Sequence, residues 1–262
     1  MKVAIVGGGV MGEAILSSAL DQGVFGAADV TVVEKIEARR NVLYTNYGVE
    51  VTDGFDAMAD AGLVLLSVKP QEIHSVAGRL RPDALLLSIM AGVTIGALAE
   101  EFKHDRIVRV MPNTPAAVKA GISGWTATDA VSPEQRDYTR ALLSAIGREI
   151  YFDDEKKLDI VTAVSGSGPA YVFLFMEALT EGAVAAGLPR AAAEELVAET
   201  VYGSALYARE SGRTPADLRA AVTSPAGTTA AGLLELEKGA FRATLIECVR
   251  AAHARAVELG KQ

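Results

Sequence analysis

The segment Gly7-Gly8-Gly9-Val10-Met11-Gly12 lies directly behind the β-branched run Val3 to Val6 and opens a helical pattern from Met11 to Leu20. A G-x-G-x-x-G turn between a strand and a helix is the fingerprint of a dinucleotide-binding βαβ unit. Gly7 allows the tight turn, Gly9 admits a pyrophosphate to the backbone, and Gly12 lets helix and strand pack closely. The competing reading is a relic of that fold that holds no ligand. Further runs repeat the grammar: Val30 to Val33, Leu63 to Val68, Ala84 to Ser88 and Arg106 to Met111 alternate with helical segments. Such alternation predicts a parallel sheet. Leu63 to Leu66 is continuously apolar, as a strand covered by helices on both faces must be. Two more short strands are expected near Ile122 to Thr126 and Glu149 to Phe152, flanking a helix from Pro133 to Ile146.

Beyond residue 155 the strand signals fade and long helical patterns take over: Gly168 to Ala186, Arg190 to Glu210 and Phe241 to Leu259. The expected fold is therefore α/β, with an N-terminal Rossmann-type, mostly parallel sheet over residues 1–153. An all-helical domain over 154–262 follows. Ala170 to Met176 carries no charge on any face, and Glu177 and Glu181 interrupt it before it could span a bilayer. That segment must be buried inside a bundle or against a second subunit, and Ala-rich helices in so small a domain favour a homodimer.

Composition narrows the partners. The 262 residues suffice for one large or two smaller domains, and the net charge of −8 lacks the basic face that nucleic acid or an anionic membrane requires. A small anionic ligand remains compatible, because a local pocket can oppose the global sign. Cys248 is the one cysteine, so no intrachain disulfide forms and a reducing, cytoplasmic setting is expected. Met1-Lys2 before Val3 to Val6 resembles the start of an export signal, but three glycines and then Glu13 break the apolar run. No run of roughly 18 uninterrupted apolar residues occurs, which points to a soluble protein.

Candidate ligand positions follow the strand ends, the edge at which open α/β sheets bind ligands. Glu34 ends the second strand run, where an acidic side chain accepts from the adenosine ribose hydroxyls and repels a 2′-phosphate. It favours NADH. Lys35 opposes that reading, since its ammonium could meet the phosphate, and Arg39 and Arg40 lie a turn further on. Ser67-Val68-Lys69-Pro70 and Ile89-Met90-Ala91 follow later strands, although Lys69-Pro70 could equally start a helix. Met111 to Ala116, with two prolines, makes a stiff loop that is either a ligand wall or a plain turn. Ser224-Pro225-Ala226-Gly227-Thr228-Thr229 opens a helix from Ala230 to Leu236, so it is an ordinary cap or an anion-binding helix mouth. His74 in an expected helix, His104 in a charged turn and His253 in the last helix read as solvated or packed, and no metal-ligand spacing stands out.

Taken in order, Gly7-x-Gly9-x-x-Gly12, Val68-Lys69-Pro70-Gln71, Ala91-Gly92-Val93-Thr94, Val108 to Pro115, Ala163 to Tyr171 and Ser224 to Thr229 resemble pyrroline-5-carboxylate reductase across nearly the whole chain. The last two segments are specific to that family. The resemblance implies hydride transfer from NADPH or NADH to C5 of 1-pyrroline-5-carboxylate, giving L-proline. It implies a substrate carboxylate on the backbone N–H groups of Gly227, Thr228 and Thr229, with the Thr229 hydroxyl near the ring nitrogen as the catalytic group. It implies cofactor contacts at Val6, Gly7, Gly9, Val10, Met11, Gly12, Glu34, Lys35, Ser67, Val68, Lys69, Pro70, Ile89, Met90 and Ala91. Subunits would pair through the helical domain, with larger rings of dimers. Two positions depart from the family pattern: Ala226 replaces a usual glycine, and Asp53 stands where an asparagine near the cofactor is common. A reductase of another cyclic imine or a β-hydroxyacid-type dehydrogenase shares the same architecture, but Gly168 to Met176 has no lysine of the kind the latter uses. A non-enzymatic dinucleotide sensor is the remaining alternative.

Overall fold

In the computed structural model, which describes residues 1–260, the N-terminal part is built around eight strands; the last two positions of the expected helical domain lie outside the described residues. The elements run β1 (Val3–Val6), α1 (Val10–Asp21), β2 (Val30–Val33), α2 (Glu37–Tyr47), β3 (Glu50–Thr52), α3 (Ala57–Asp60), β4 (Leu63–Leu66), β5 (Leu85–Ser88), α4 (Ile95–Phe102), β6 (Ile107–Met111), β7 (Gly121–Ala127), α5 (Pro133–Ala145) and β8 (Gly147–Tyr151). They form one sheet in the order β3-β2-β1-β4-β5-β6-β7-β8. Every neighbouring pair is parallel except β6 with β7. Strand order reverses between β1 and β4, where Val6 pairs with Val33 on one side and Leu66 on the other. A doubly wound sheet opens its ligand crevice at that switch point.

Period-2 alternation splits the core in two. Ile5, Leu65, Leu87, Val110 and Trp125 pack with Leu16 and Leu43 in one cluster, while Val6, Leu66, Leu86 and Ile107 pack with Met58 and Leu98 in the other. All four residues of β1, β4 and β5 are buried, so these strands carry no polar face. The short edge strand β3 is absent from the sequence reading: three residues, two of them polar, give no periodic signal, and pairing with β2 makes the strand. The helix expected around His74 is instead a 3₁₀ turn, Pro70–Ser75. Pro70 starts it, but Gly78 and Pro82 follow too soon for a full α-helix to form.

Arg109 of β6 is the one arginine buried in this sheet. Its side chain is 5% exposed and donates to Glu155 at 2.8 Å and Asp159 at 3.1 Å, both near α6 (Lys157–Val161). Glu155 also accepts the backbone N–H of Ile95 at 2.7 Å, which opens α4. One guanidinium thereby ties β6, α4 and the approach to α6 together. Helix α6 continues through a π turn, Thr162–Gly166, closed by a bond from the Ser167 N–H to the Thr162 carbonyl at 2.8 Å.

The chain separates into two compact units, Met1–Ser167 with the last turns of the final helix, and Gly168–Ala251. The second is wholly helical: α7 (Gly168–Ala185), α8 (Arg190–Glu210), α9 (Pro215–Ala221), α10 (Thr228–Lys238) and α11 (Phe241–Leu259), the last reaching into the first unit. Helices α7 and α8 pack together across the turn at Gly187, whose φ of 107° only glycine adopts readily. Along α7, Val172, Phe173, Leu174 and Phe175 are all exposed in the single chain, Leu174 by 66%. The helical stretch Lys157–Ala185 reaches a mean hydropathy of 1.4 and is 11% buried, so by length and composition alone it could cross a bilayer. Bare apolar side chains on several faces of α7 fit the other expectation, burial against a second copy.

Candidate dinucleotide and anion sites

The glycine turn takes the form its spacing predicts. Gly7 has φ 101°, and a side chain there would run into the Ser67 carbonyl. Ser67 closes the turn from β4 by donating its hydroxyl to the carbonyls of Gly7 at 2.6 Å and Val6 at 3.1 Å. A side chain at Gly12 would collide with the Gly7 carbonyl and the Ser67 hydroxyl. Gly9 differs. It caps α1 without any side-chain hydrogen bond, and a Cβ built on it would meet nothing within 4 Å. The first N–H groups of α1 and its positive dipole end thus face open space beside a position kept free of side chain, which is the cradle a pyrophosphate needs. The residues present fit a dinucleotide.

At the end of β2, Glu34 is held from both sides: the Gly8 N–H donates to Oε2 and the Ile36 N–H donates to Oε1, each at 2.9 Å. Arg39 donates to the Gly8 carbonyl at 2.7 Å and pairs closely with Glu13. Tyr47 donates to the same Glu13 at 3.0 Å; burial, then that hydrogen bond and the carboxylate's charge, push its phenol above the ordinary value and keep it a donor. Arg40 donates to the carbonyls of Glu34 and Lys35 at 2.8 and 2.9 Å and lies 3.8 Å from Asp53. Lys35 points away, its ammonium donating to Ser75 at 3.1 Å.

A cleft of about 260 Å³ opens at the carboxyl edge of the sheet, lined by Met11, Ser67, Val68, Pro70, Ile89, Met90 and Ala91. Its far wall is Met111 to Thr114 and Gly166, residues the sequence reading either left open as a turn or did not select. Two prolines flanking Asn113-Thr114 are the signal for the wall; Gly166, brought there by the π turn and packed on Met111, is signalled only by its place in the Ala163 to Tyr171 segment. Asn113 accepts the Ile122 N–H at 2.9 Å, so its amide braces the loop. Among the expected contacts, Val6 is 1% exposed and its carbonyl accepts from Ser67, whereas Val10 is 74% exposed on the first turn of α1 and Lys69 is exposed. A larger cavity of about 720 Å³ shares Pro70 and Ala91 with the cleft and continues to Thr94, Glu101 and Leu259.

In the helical unit, the run Ser224 to Thr229 contains Gly227, the N-cap of α10, which again has no side-chain cap. Thr228, Thr229 and Ala230 occupy the first three helical positions, whose N–H groups have no carbonyl partner within the helix. A side chain at Gly227 would strike the Ser224 hydroxyl. Ala226 takes φ 58°, the left-handed region, at a cost of about 1 kcal/mol relative to glycine. Alanine thus adopts here a backbone conformation that glycine takes without strain.

The histidines lie outside the cleft, although His74 lines the larger cavity. His104 is 9% exposed and bonds the Ala84 carbonyl at 2.8 Å, a packed role, while exposed His74 sits 2.7 Å from Glu101. Among the described residues no group of three His, Cys, Asp or Glu side chains gathers as metal ligands would.

A glycine turn with an uncapped helix, a doubly wound sheet and a cleft at its switch edge define a nicotinamide-dinucleotide-dependent oxidoreductase. A family model described as "Pyrroline-5-carboxylate reductase dimerisation" matches residues 155–259, and one described as "NADP oxidoreductase coenzyme F420-dependent" matches 2–92. The pyrroline-5-carboxylate reductase of Synechocystis is 43% identical, the match covering 100% of this chain and 99% of that one; that of Pisum sativum is 41% identical over 98% and 95%. The pyrroline-5-carboxylate reductase structure from Coxiella burnetii superposes with a TM-score of 0.90 at 34% identity, covering 100% and 99% of the two chains. The Plasmodium falciparum pyrroline carboxylate reductase solved with NADP bound gives 0.89 at 30% identity, covering 99% and 98%. The chain belongs to the pyrroline-5-carboxylate reductase family.

Proposed function

We infer that the protein catalyses the NAD(P)H-dependent reduction of 1-pyrroline-5-carboxylate to L-proline, the last step of proline biosynthesis. The observation that carries the residue-level reading is the uncapped start of α10, where Thr228 and Thr229 offer a carboxylate N–H groups that the helix leaves unbonded, behind Gly227, whose own N–H donates to the Ser224 carbonyl at 3.1 Å, in a chain that also holds a dinucleotide cradle. The nicotinamide cofactor, when bound, supplies the hydride that adds to C5 of the C=N bond. The chain's own residues do the rest by positioning. Gly227, Thr228 and Thr229 hold the carboxylate against the positive end of α10. The Thr229 hydroxyl accepts from the N–H of the protonated imine, which is a better electrophile than the neutral ring, so Thr229 is the catalytic group. No nucleophile and no metal is required, since a C=N bond needs only an oriented donor and a stabilised cation.

Gly7, Gly9 and Gly12, with Val6, Val10 and Met11, receive the pyrophosphate; Ser67, Val68, Lys69, Pro70, Ile89, Met90 and Ala91 line the remainder of the cofactor path. Copies associate through the exposed face of α7 and build rings of dimers in the cytoplasm. The cofactor is preferentially NADH. Glu34 offers its two oxygens to ribose hydroxyls while fixed by two backbone amides, and Arg39, Arg40 and Lys35 are each engaged elsewhere. Steady-state assays with 1-pyrroline-5-carboxylate should give a higher kcat/KM for NADH than for NADPH. Equal values, or a preference for NADPH, would remove the cofactor assignment.

A further inference from the structure

The Glu34 N–H donates to the Thr52 carbonyl at 2.8 Å, which sets the ends of β2 and β3 side by side. Asp53 is the next residue, which brings a second carboxylate to the end of the strand paired with β2, at the sheet edge where such folds meet the adenosine ribose. One cation serves both: Arg40 holds the backbone of Glu34 and Lys35 through one nitrogen and lies 3.8 Å from Asp53 through another. Arg40 is 18% exposed in its side chain, whereas Asp53 is 73% exposed and keeps most of its acceptor capacity toward solvent. The other arginine is withdrawn by Glu13, which Tyr47 also holds in place.

We propose that Asp53 is a specificity-determining residue: by engaging Arg40 and adding a second negative charge next to Glu34, it turns away a 2′-phosphate. The proposal rests on the NADH preference argued above. A 2′-phosphate arriving there meets two carboxylates and an arginine whose charge is already matched. A 2′-hydroxyl meets two acceptors. Glu34 fixes the ribose, and Asp53 raises the penalty for the phosphorylated cofactor by keeping Arg40 from it.

The test is the ratio of kcat/KM for NADPH over NADH in the intact enzyme, in the wild type, Asp53→Asn, Asp53→Ser and the control Asp60→Asn, an exposed acid on α3 paired with Lys2. Both Asp53 variants should raise the ratio by roughly fivefold at low salt, the scale of one largely solvated ion pair, and the control should not. The gain should shrink as salt shortens the screening length, because charge and not shape is removed. A wild type that prefers NADPH would sink the underlying cofactor reading. A wild type that prefers NADH, with the ratio unmoved in both variants or moved independently of salt, would overturn the role of Asp53 alone.

Discussion

Thr229→Val is expected to lower kcat on the order of a hundredfold or more while the KM for NADH stays near its wild-type value. Valine matches threonine in shape and keeps the second position of α10, so the N–H groups that hold the carboxylate are retained. What disappears is the hydroxyl at the ring nitrogen, where charge changes as C5 accepts hydride. Losing one preorganised hydrogen bond to the reacting group costs about 10²- to 10³-fold in turnover in comparable sites. Because that bond helps keep the bound imine in its protonated, reactive form, the loss should fall on kcat more than on substrate KM. Unchanged turnover would show that the hydroxyl is dispensable, and a loss confined to cofactor KM would assign Thr229 a structural role.

The second large effect is on stability. Arg109→Met should destabilise the protein by about 3–5 kcal/mol, because it removes the cation that bonds Glu155 and Asp159 and leaves both carboxylates half-buried without it. In a chain of this size the apparent Tm should fall by roughly 10 °C. Restoring packing without charge, as in Arg109→Met with Glu155→Gln and Asp159→Asn, should recover most of the loss, since a buried pair replaced as a unit is often close to neutral. A single variant as stable as the wild type would contradict the bracing role given to Arg109. The consequence reaches the cleft, because the segment Arg109 anchors leads into the π turn that delivers Gly166 to its wall.

The parts of this architecture that repeat locally could be read from the chain. Val3 to Val6, Val30 to Val33 and Leu63 to Leu66 announce themselves by continuous apolar character, and Gly7 to Gly12 by a spacing that only a strand-to-helix turn explains. Helix 190–210 is bounded by Gly187-Leu188-Pro189 before it and Ser211-Gly212 after it. The start of α10 was also legible as a helix start, with an ordinary cap and an anion-binding mouth both open on the run from Ser224 to Thr229.

Features made by distant residues were not legible. An arginine inside Ile107–Met111 signals a buried charge that needs a partner, yet nothing local identifies Glu155 and Asp159 as the partners. Edge strand β3 exists because β2 offers it a ladder. The place of Glu34 at the end of the second strand was legible, but its bond to the Gly8 N–H, which links the acidic residue to the glycine turn itself, depends on how the β2 end folds back. Lys35 and Arg39 looked equally available for a phosphate until their partners, Ser75 and Glu13, were in place.

The most direct measurement is the conversion of 1-pyrroline-5-carboxylate by the purified protein with NADH, followed both as loss of reduced nicotinamide absorbance and as L-proline formed. The account predicts one proline per NADH oxidised, with no turnover when either is omitted. Absence of NADH and NADPH oxidation in the presence of the imine, or oxidation without proline, would contradict it.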